Sequence, residues 1–321
     1  MENITKELKH VFGDRLKENE PMSKHVNFRI GGVAKWFVEV QTIEELKHAL
    51  VICSKNDLSY FVLGGGSNTL VSDEGLDGLV LKMAMRNIQV EGTTVVADAG
   101  VISASLARTT ANEGLEGFAW AISLPGTIGG AVRGNAGCFG GETKDYLVKA
   151  EVMRDGEIVE LSKEDLQMGY RDSTIKHSED VVLRAWFEFP QGDSEALKQQ
   201  LADTLEKRKS TQPLHAGSAG CVFKNYEIRD DAELKHLEDH GDIPEEMLKN
   251  RRISAGWLID HVDLKGMKIG GAMISEEHGN FIVNLGEATA SDIVQLIAIV
   301  KEKIRQKFGI QLHEEVKYIG F

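Results

Sequence analysis

Two glycine-rich segments constrain this chain more than any other feature of its sequence. The first reads Leu63-Gly-Gly-Gly-Ser-Asn-Thr-Leu-Val71, and the second reads Leu124-Pro-Gly-Thr-Ile-Gly-Gly-Ala-Val-Arg-Gly-Asn-Ala-Gly137. The chain holds 33 glycines in 321 residues, about a tenth against a typical share of roughly 7%. Because glycine has no Cβ, its backbone can approach a ligand or another backbone closely, and successive N–H groups can converge on an anion. The two segments therefore predict special backbone sites rather than ordinary loops.

The first segment is ambiguous when it is taken alone. It follows a short apolar strand predicted at 60–63, and Ser67 and Asn68 add side-chain donors to it. It lacks the Gly-Lys-Ser/Thr of a P-loop, and its spacing misses the third glycine of a Rossmann fingerprint. An anion-binding loop and a glycine-rich hairpin are equally good interpretations of this segment.

The second segment is more specific. Its glycines alternate with Ile128, Ala131 and Val132, which a solvated linker would not do so regularly, while Thr127 and Asn135 supply polar groups. This pattern predicts backbone that another part of the protein approaches closely. Two such segments in separate predicted units indicate a ligand lying between them, where clefts usually form.

Apolar periodicity predicts three domains. A β-α-β order, with a capping box at Thr42 and Glu45 before its helix, predicts an α/β-type domain over 1–82. A series of short strands predicts a second domain over 83–192, and a third domain over 193–321 ends with a helix from Thr289 to Gly309. The further predicted elements are a helix over 1–18, strands at 34–40, 60–63, 88–90, 94–97, 148–154, 158–161 and 181–189, and a helix over 191–209.

Composition and charge argue against several classes of protein. A net charge of -13 argues against a nucleic-acid partner, since such proteins neutralise phosphates with clustered Lys and Arg. Three widely spaced cysteines without a CxxC pair indicate no disulfide framework, which favours a reducing cytoplasm. The charged N-terminus is not a signal peptide, and no apolar run approaches the roughly 20 residues of a membrane span. We expect a cytoplasmic monomer that binds neither nucleic acid nor a membrane.

Further motifs make the chain resemble the UDP-N-acetylenolpyruvoylglucosamine reductases. The resemblance runs from about Asn27 to Gly320, and its motifs occur in the family's order. They are the two glycine segments, Ser72-Asp-Glu-Gly75, Gly169-Tyr-Arg-Asp-Ser173, Thr211-Gln-Pro213, Ser218-Ala-Gly-Cys-Val-Phe-Lys-Asn225 and Leu312-His-Glu-Glu-Val316. The resemblance implies an α+β flavoprotein with two α/β-type FAD-binding domains, of the kind that vanillyl-alcohol-oxidase-like proteins share. A third, α+β domain would bind the substrate, with its last residues returning to the active site. The short connection from Arg171 to Gln212 implies the shorter type, without the substrate-covering insertion of some members.

The resemblance also implies the reaction. NADPH reduces FAD, which delivers a hydride to the β-carbon of the enolpyruvyl group of a UDP-N-acetylglucosamine ether in peptidoglycan precursor synthesis. The adjacent carbon then carries enolate character and needs a cation, hydrogen-bond donors and a proton. By position in the motifs, Arg171 would stabilise the carboxylate and the developing charge. Glu315 would help to polarise the same group, as a protonated or hydrogen-bonded acid.

Cys221 is implied as the proton donor, and it departs from the family, which usually has serine there. A thiol with a reference pKa of about 8.5 is a far stronger acid than an alkyl hydroxyl, so the substitution preserves proton donation. The alternative is a small buried apolar cysteine, which is the commoner environment of this residue.

The remaining site residues follow from the same resemblance. FAD would contact the two glycine segments, at Gly64, Gly65, Gly66, Ser67, Asn68, Pro125, Gly126, Thr127, Gly129, Gly130, Asn135, Ala136 and Gly137. The substrate would contact Tyr170, Lys224 and Asn225. The family's Lys-Asn-Pro here ends in Tyr226, and a charged stretch over 227–252 resembles an insertion.

A metal site is not expected. His236 and His240 are four residues apart and could face together on a helix, as zinc ligands can. No third ligand is evident, and a solvated helix is the simpler interpretation of this charged run.

Two competing functions stay open on the sequence. A flavin oxidase of the vanillyl-alcohol-oxidase type would use oxygen directly, but it gives no reason for Arg171, Cys221 and Glu315 to lie in matching motifs. A flavin-binding regulatory protein without catalysis is favoured only by the cysteine in place of serine.

Overall fold

The computed structural model describes residues 2–239 and 242–321, in which helices and strands are mixed throughout. The helices are α1 (Glu2–Phe12), α2 (Ile43–Lys55), α3 (Ser103–Asn112), α4 (Ile128–Arg133), α5 (Ser194–Thr211), α6 (Asp231–Asp239), α7 (Glu245–Lys249), α8 (Ala255–Asp260) and α9 (Ala290–Phe308). The strands are β1 (Lys17–Pro21), β2 (Val33–Val40), β3 (Tyr60–Leu63), β4 (Thr69–Val71), β5 (Leu76–Met83), β6 (Ile88–Glu91), β7 (Thr94–Asp98), β8 (Gly137–Cys138), β9 (Gly141–Glu142), β10 (Leu147–Arg154), β11 (Glu157–Ser162), β12 (Val181–Glu188), β13 (Tyr226–Glu227), β14 (Arg252–Ile253), β15 (Lys268–Ile269), β16 (Ala272–Ile274), β17 (Ile282–Asn284) and β18 (Lys317–Ile319).

The chain divides into two compact units. The first contains residues 2–21, 33–66 and 76–210, and the second contains 22–32, 67–75 and the described residues of 211–321. Two short N-terminal stretches thus belong to the unit that holds the C-terminus. The predicted three-domain boundaries at 82 and 192 remain predictions.

The first unit contains a four-stranded and a five-stranded sheet, which share one core, and the short two-stranded pair β8-β9. One sheet has the strand order β1-β2-β5-β3, in which β2, β5 and β3 run parallel and β1 is antiparallel to β2. Because α2 connects β2 to β3, the predicted β-α-β order is confirmed. Leu8 and Phe12 of α1 and Leu46 of α2 share a buried cluster with Trp36 and Val38 of β2.

The other sheet of this unit is antiparallel, with the order β11-β10-β12-β7-β6. The short strands predicted here are confirmed, with differences of one or two residues at their ends. Phe118 packs against Phe187 and Phe189, each at 5.7 Å between ring centroids. All three belong to the same buried cluster as the first sheet, so apolar packing joins the two sheets into one unit.

Three local predictions need correction. The N-terminal helix predicted over 1–18 ends at Phe12, because Gly13 has a φ of 56° and the chain then forms β1. The capping box is half correct: Thr42 accepts from the Glu45 N–H, but the Glu45 carboxylate accepts from Gln41 N at 2.8 Å. The second glycine segment contains a short helix, α4, that its glycines did not predict.

The second unit is organised around α9. This helix begins at the predicted capping box of Thr289 and Asp292 and ends before Gly309, whose φ of 68° is left-handed. Its buried stripe, which includes Ile293, Leu296, Ile297, Val300 and Ile304, belongs to the core of this unit. The C-terminal strand β18 pairs in parallel with β4, directly after the first glycine segment.

Asp73, which follows β4, binds the N-terminus of α9. Its carboxylate accepts hydrogen bonds from the backbone N–H groups of Ala290 and Ser291, at 2.8 and 3.1 Å. N–H groups in the first turn of a helix have no partner within the helix, so a distant aspartate satisfies two of them here.

The described residues contain neither a cluster of metal ligands nor a helix that could cross a membrane. Within 2–239 and 242–321, no group of three or more His, Cys, Asp and Glu side chains could hold a metal ion. His236 lies on α6, whereas His240 lies outside the described residues. Among these same residues no helix combines the length and apolarity that crossing a membrane requires.

We predict that Asp73→Ala lowers the free energy of unfolding by about 1 kcal/mol, the usual effect of removing a helix cap. Two first-turn N–H groups of α9 would lose their acceptor. The measurement is chemical unfolding followed by circular dichroism, with Glu74→Ala as the control at an adjacent exposed carboxylate. Equal midpoints for the two variants would contradict this capping interaction.

Candidate active site

The two glycine segments cross each other within the first unit. A Cβ on Gly64 would lie 2.6 Å from Thr127 Oγ1, and a Cβ on Gly65 would lie 2.6 Å from Gly126 Cα. Real Cβ atoms essentially never approach other atoms this closely. Gly65 thus meets backbone atoms and has no room for a side chain, whereas the close neighbour of Gly64 is the Thr127 hydroxyl; the close approach of backbone predicted for the second segment is confirmed.

Thr127 lies at this crossing, and its hydroxyl makes no hydrogen bond with the described residues. It is 7% exposed, and its Oγ1 has no hydrogen-bond partner among the residues that the structure describes. It is the residue that precedes α4, yet its side chain does not cap the helix. A buried hydroxyl without a partner is unfavourable by about 1–3 kcal/mol, so this oxygen points to a ligand. It fits a phosphate of the expected FAD diphosphate, as does the exposed backbone of Gly65 and Gly130.

The other predicted cofactor residues have varied surroundings. Pro125 is exposed, and Gly129 packs against Ala99, where an added Cβ would lie 2.9 Å from the Ala99 Cβ. The carbonyl of Ala136 accepts from the hydroxyl of Thr143 at 2.8 Å. Their contacts with FAD stay predictions.

Ser67 and Asn68 lie in the second unit, whereas Gly64, Gly65 and Gly66 lie in the first. Asn68 Nδ2 donates to the carbonyl of Glu315 at 3.0 Å, and its own carbonyl accepts from Lys317 N at 3.0 Å. The predicted cofactor segment is thus hydrogen-bonded to the segment of the predicted catalytic acid.

Asn135 is fully engaged within the protein. It is 0% exposed, its Nδ2 donates to Glu142 and to the carbonyl of Gly169, and its Oδ1 accepts from Lys144 N. Because both amide hydrogens are used, we assign the Asn135 side chain to positioning and not to direct donation to FAD. It holds the 169–172 turn against the second glycine segment.

Arg171 occupies that turn in a strained conformation. Its φ is 54°, and a left-handed conformation at a residue other than glycine is unfavourable by about 1–3 kcal/mol and is often found at functional sites. Its Nη2 donates to the carbonyl of Gly137 at 2.6 Å, its guanidinium lies 5.2 Å from the Tyr170 ring centre, and Lys176 Nζ donates to its carbonyl at 2.7 Å. These contacts place Tyr170 and Arg171, the two predicted site residues of the 169–173 motif, beside the end of the second glycine segment.

Cys221 and Glu315 lie on paired segments of the second unit. The N–H of Glu315 donates to the carbonyl of Val222 at 2.8 Å, and Phe223 bridges Glu314 in antiparallel fashion. Both Cys221 and Glu315 are partly buried. The structure thus brings two of the three predicted catalytic residues onto neighbouring backbone.

Asn280 holds the Cys221 segment and was not predicted. It is 2% exposed, its Oδ1 accepts from Phe223 N, and its Nδ2 donates to the Phe223 carbonyl, both at 2.9 Å. Its N–H donates to His278 Nδ1 at 3.2 Å. Burial lowers the pKa of His278, which favours the neutral ring that can accept this bond. In the sequence, Asn280 directly precedes an apolar run that begins at Phe281. An amide side chain in that position is the signal that could have indicated it.

The predicted substrate residues Lys224 and Asn225 follow directly. Lys224 N donates to the carbonyl of His313 at 2.9 Å, and Asn225 Oδ1 accepts from Ala255 N at 3.1 Å. Within the described part of the chain the Lys224 ammonium pairs with no carboxylate. An unneutralised cation is thus present for an anionic ligand.

Comparison with known proteins identifies the family. Residues 34–162 match an FAD binding domain, and residues 212–319 match the C-terminal domain of UDP-N-acetylenolpyruvoylglucosamine reductase. The UDP-N-acetylenolpyruvoylglucosamine reductase of Alkaliphilus metalliredigens is 36% identical over 323 residues, which cover 99% of this chain and 98% of the relative. The chain belongs to the UDP-N-acetylenolpyruvoylglucosamine reductase family.

Two further comparisons agree. The UDP-N-acetylenolpyruvoylglucosamine reductase of Lachnoclostridium phytofermentans is 38% identical, over 99% of this chain and 97% of the relative. The crystal structure of UDP-N-acetylenolpyruvylglucosamine reductase from Thermus caldophilus matches with a TM-score of 0.74 and 33% identity, over 94% of this chain and 97% of that one. The predicted family and the α+β flavoprotein fold are confirmed, and the FAD-domain match covers both glycine segments.

We predict that Thr127→Val weakens FAD binding about tenfold, the effect of losing one hydrogen bond of about 1.4 kcal/mol. The apoprotein should not lose stability, because no protein hydrogen bond is removed. The measurements are FAD titration by flavin fluorescence and thermal unfolding of the apoprotein. Thr110→Val is the control, since the buried Thr110 hydroxyl donates to the Ala107 carbonyl at 3.1 Å away from the glycine segments. Unchanged FAD affinity in Thr127→Val would contradict the assignment.

Proposed function

We propose that the protein is an NADPH-dependent reductase that converts UDP-N-acetylglucosamine enolpyruvate into UDP-N-acetylmuramate for peptidoglycan synthesis. The observation that carries the proposal, beside family membership, is the hydrogen bond from Asn68 to the carbonyl of Glu315. It joins the predicted cofactor segment to the predicted acid. Bound FAD supplies the hydride chemistry, by accepting two electrons from NADPH and passing them to the β-carbon of the enolpyruvyl group.

Arg171 binds the substrate carboxylate in this proposal. A guanidinium offers a fixed, planar fork of hydrogen-bond donors that suits a carboxylate. As hydride adds to the β-carbon, negative charge develops on the carboxylate oxygens and the α-carbon. Arg171 holds that charge, and its bond to the Gly137 carbonyl at 2.6 Å keeps the side chain in place before the reaction. Glu315, as a protonated or hydrogen-bonded acid, polarises the same carboxylate.

Cys221 gives the proton that completes the reduction. The S–H bond breaks as a C–H bond forms at the α-carbon, and the thiolate regains a proton from water before the next turnover. Asn280 supports this step, because its two bonds to Phe223 fix the backbone two residues beyond the thiol.

Tyr170, Lys224 and Asn225 bind the rest of the substrate in this proposal. The UDP diphosphate is an anion, and the protein has a net charge of -13. A local cation is therefore needed against the overall field, and the Lys224 ammonium, which pairs with no carboxylate in the described part of the chain, meets that need. We further propose that the protein is a monomer in the cytoplasm that binds neither nucleic acid nor a membrane.

One set of measurements tests the proposed function. The purified protein should have the visible spectrum of bound flavin, and it should oxidise NADPH rapidly only when the enolpyruvyl substrate is present. Rapid NADPH oxidation with oxygen alone would support the oxidase alternative. A flavin-containing protein without NADPH oxidation would support the regulatory alternative, and a colourless protein after FAD addition would overturn all three.

We predict that Cys221→Ala slows the oxidation of reduced flavin by substrate by about 10²-fold or more, the usual effect of losing a general acid. The reduction of flavin by NADPH should keep its wild-type rate. Stopped-flow absorbance in single turnovers measures the two steps separately.

Cys221→Ser is the matched control for this prediction. A hydroxyl can still donate the proton, so this variant should retain substantial activity. Full single-turnover oxidation in Cys221→Ala would contradict the acid assignment and favour a packing role for the cysteine.

A further inference from the structure

Residues 228–239 and 242–251 belong to a helical excursion that the proposed reaction does not use. It contains α6 and α7, and it leaves the fold next to the predicted substrate residues. Its base is closed by β13 and β14, and by the N–H of Ile228 donating to the carbonyl of Arg251 at 3.0 Å. Leu237 and Leu248 pack into the core of the second unit, so the excursion is anchored.

A polar cluster lies at the base of the excursion. It includes Tyr226, the residue that departs from the family motif. The Tyr226 hydroxyl donates to the Glu233 carboxylate. Arg229 donates to the same carboxylate from its backbone N–H at 2.8 Å and from Nη2 at 2.7 Å. The Glu233 side chain is only 15% exposed, so one carboxylate on α6 ties Tyr226 and Arg229 together.

The cluster keeps one charge state over the working pH range. The hydrogen bond from Arg229 lowers the pKa of Glu233 to about 2, and burial, with the Glu233 contact, raises the pKa of Tyr226 to about 12. Glu233 therefore stays ionised until the pH falls towards 2, and Tyr226 stays a donor until the pH rises towards 12. Contacts made by the cluster should not change between pH 5.5 and 8.5.

The cluster is one of three anchors around a single peptide. Lys224 N is bonded to the His313 carbonyl, and Asn225 Oδ1 accepts from Ala255 N. Tyr226 follows directly and is held by Glu233. Three contacts therefore hold the backbone of residues 224–226. They are made by the C-terminal motif, by the first residue of α8, and by Glu233 of the excursion.

We propose that Tyr226, Glu233 and Arg229 form a clamp that positions Lys224 and Asn225 for the diphosphate of the substrate. This inference rests on the proposed function. Tyr226 and Glu233 are positioning residues, since they act through Lys224 and Asn225. The excursion thereby sets the affinity for the nucleotide part of the substrate and not the rate of the chemical step.

The test is Tyr226→Phe, which removes the hydroxyl and keeps the ring. We expect KM for the enolpyruvyl substrate to rise about tenfold, with kcat within about twofold of wild type. The rate of flavin reduction by NADPH without substrate should not change. Glu233→Gln should shift KM in the same direction, and the ratio of variant to wild-type KM should be constant between pH 5.5 and 8.5.

Arg251→Gln is the matched control within the excursion. It breaks the exposed pair with Asp231 and leaves Tyr226 and Glu233 intact, so KM should not change. The clamp is overturned if Tyr226→Phe leaves KM unchanged, whether or not the melting temperature falls. It is also overturned if Arg251→Gln raises KM equally, because general loosening of the excursion would then explain both variants.

Calorimetric titration of the FAD-loaded protein with UDP separates this inference from the proposed function. Weaker UDP binding in Tyr226→Phe than in wild type supports the clamp without requiring turnover. UDP binding with no substrate-dependent NADPH oxidation in wild type would overturn the proposed reaction alone. Equal UDP affinity of variant and wild type, or no UDP binding by either, would overturn the clamp.

Discussion

The crossing of the two glycine segments is the contact on which the candidate cofactor site depends. Gly65 meets Gly126 backbone to backbone, so a side chain on Gly65 would push the segments apart. One segment leaves the parallel sheet at the end of β3, and the other leads into α4, which packs on the antiparallel sheet. The crossing therefore lies between elements that share one core, and it leaves the Thr127 hydroxyl without a hydrogen-bond partner among the described residues.

Backbone strain accumulates around the end of the second segment and is balanced by reciprocal hydrogen bonds. Asn135 and Arg171 have φ values of 40° and 54°, each unfavourable by about 1–3 kcal/mol. The side chain of Asn135 donates to the carbonyl of Gly169, and the side chain of Arg171 donates to the carbonyl of Gly137. Each strained residue thus holds the stretch that contains the other. In the reaction that we propose, this arrangement orients the arginine before substrate binds, which is how positioned charges lower a reaction barrier.

The sequence predicted those elements of the fold that local residue patterns determine. Apolar periodicity and capping residues located α9 correctly, and the second glycine cluster predicted a close approach of backbone, though not that the two segments cross. α4 was missed because glycine disfavours helix, and only its packing in the tertiary structure makes it helical. Asn280 was missed because its partner Phe223 is 57 residues away, and a single sequence carries no record of such a pairing. The distant bond from Asn284 to the carbonyl of Phe28 was missed for the same reason.

Tyr226 stands where the family motif has proline, and it shows how this chain can position the flexible side chain of Lys224. A lysine side chain has about 2 kcal/mol of rotamer entropy, and packing cannot remove that entropy without burying the charge that binds the diphosphate in our proposal. What the protein can fix is the peptide from which Lys224 extends. A proline in the family motif restricts that peptide through its ring, whereas Tyr226 restricts it through a hydrogen bond to Glu233 on the excursion. Two different covalent structures can therefore impose the same constraint on the backbone, and in the clamp that we propose the constraint extends from Lys224 and Asn225 to Glu233 of α6.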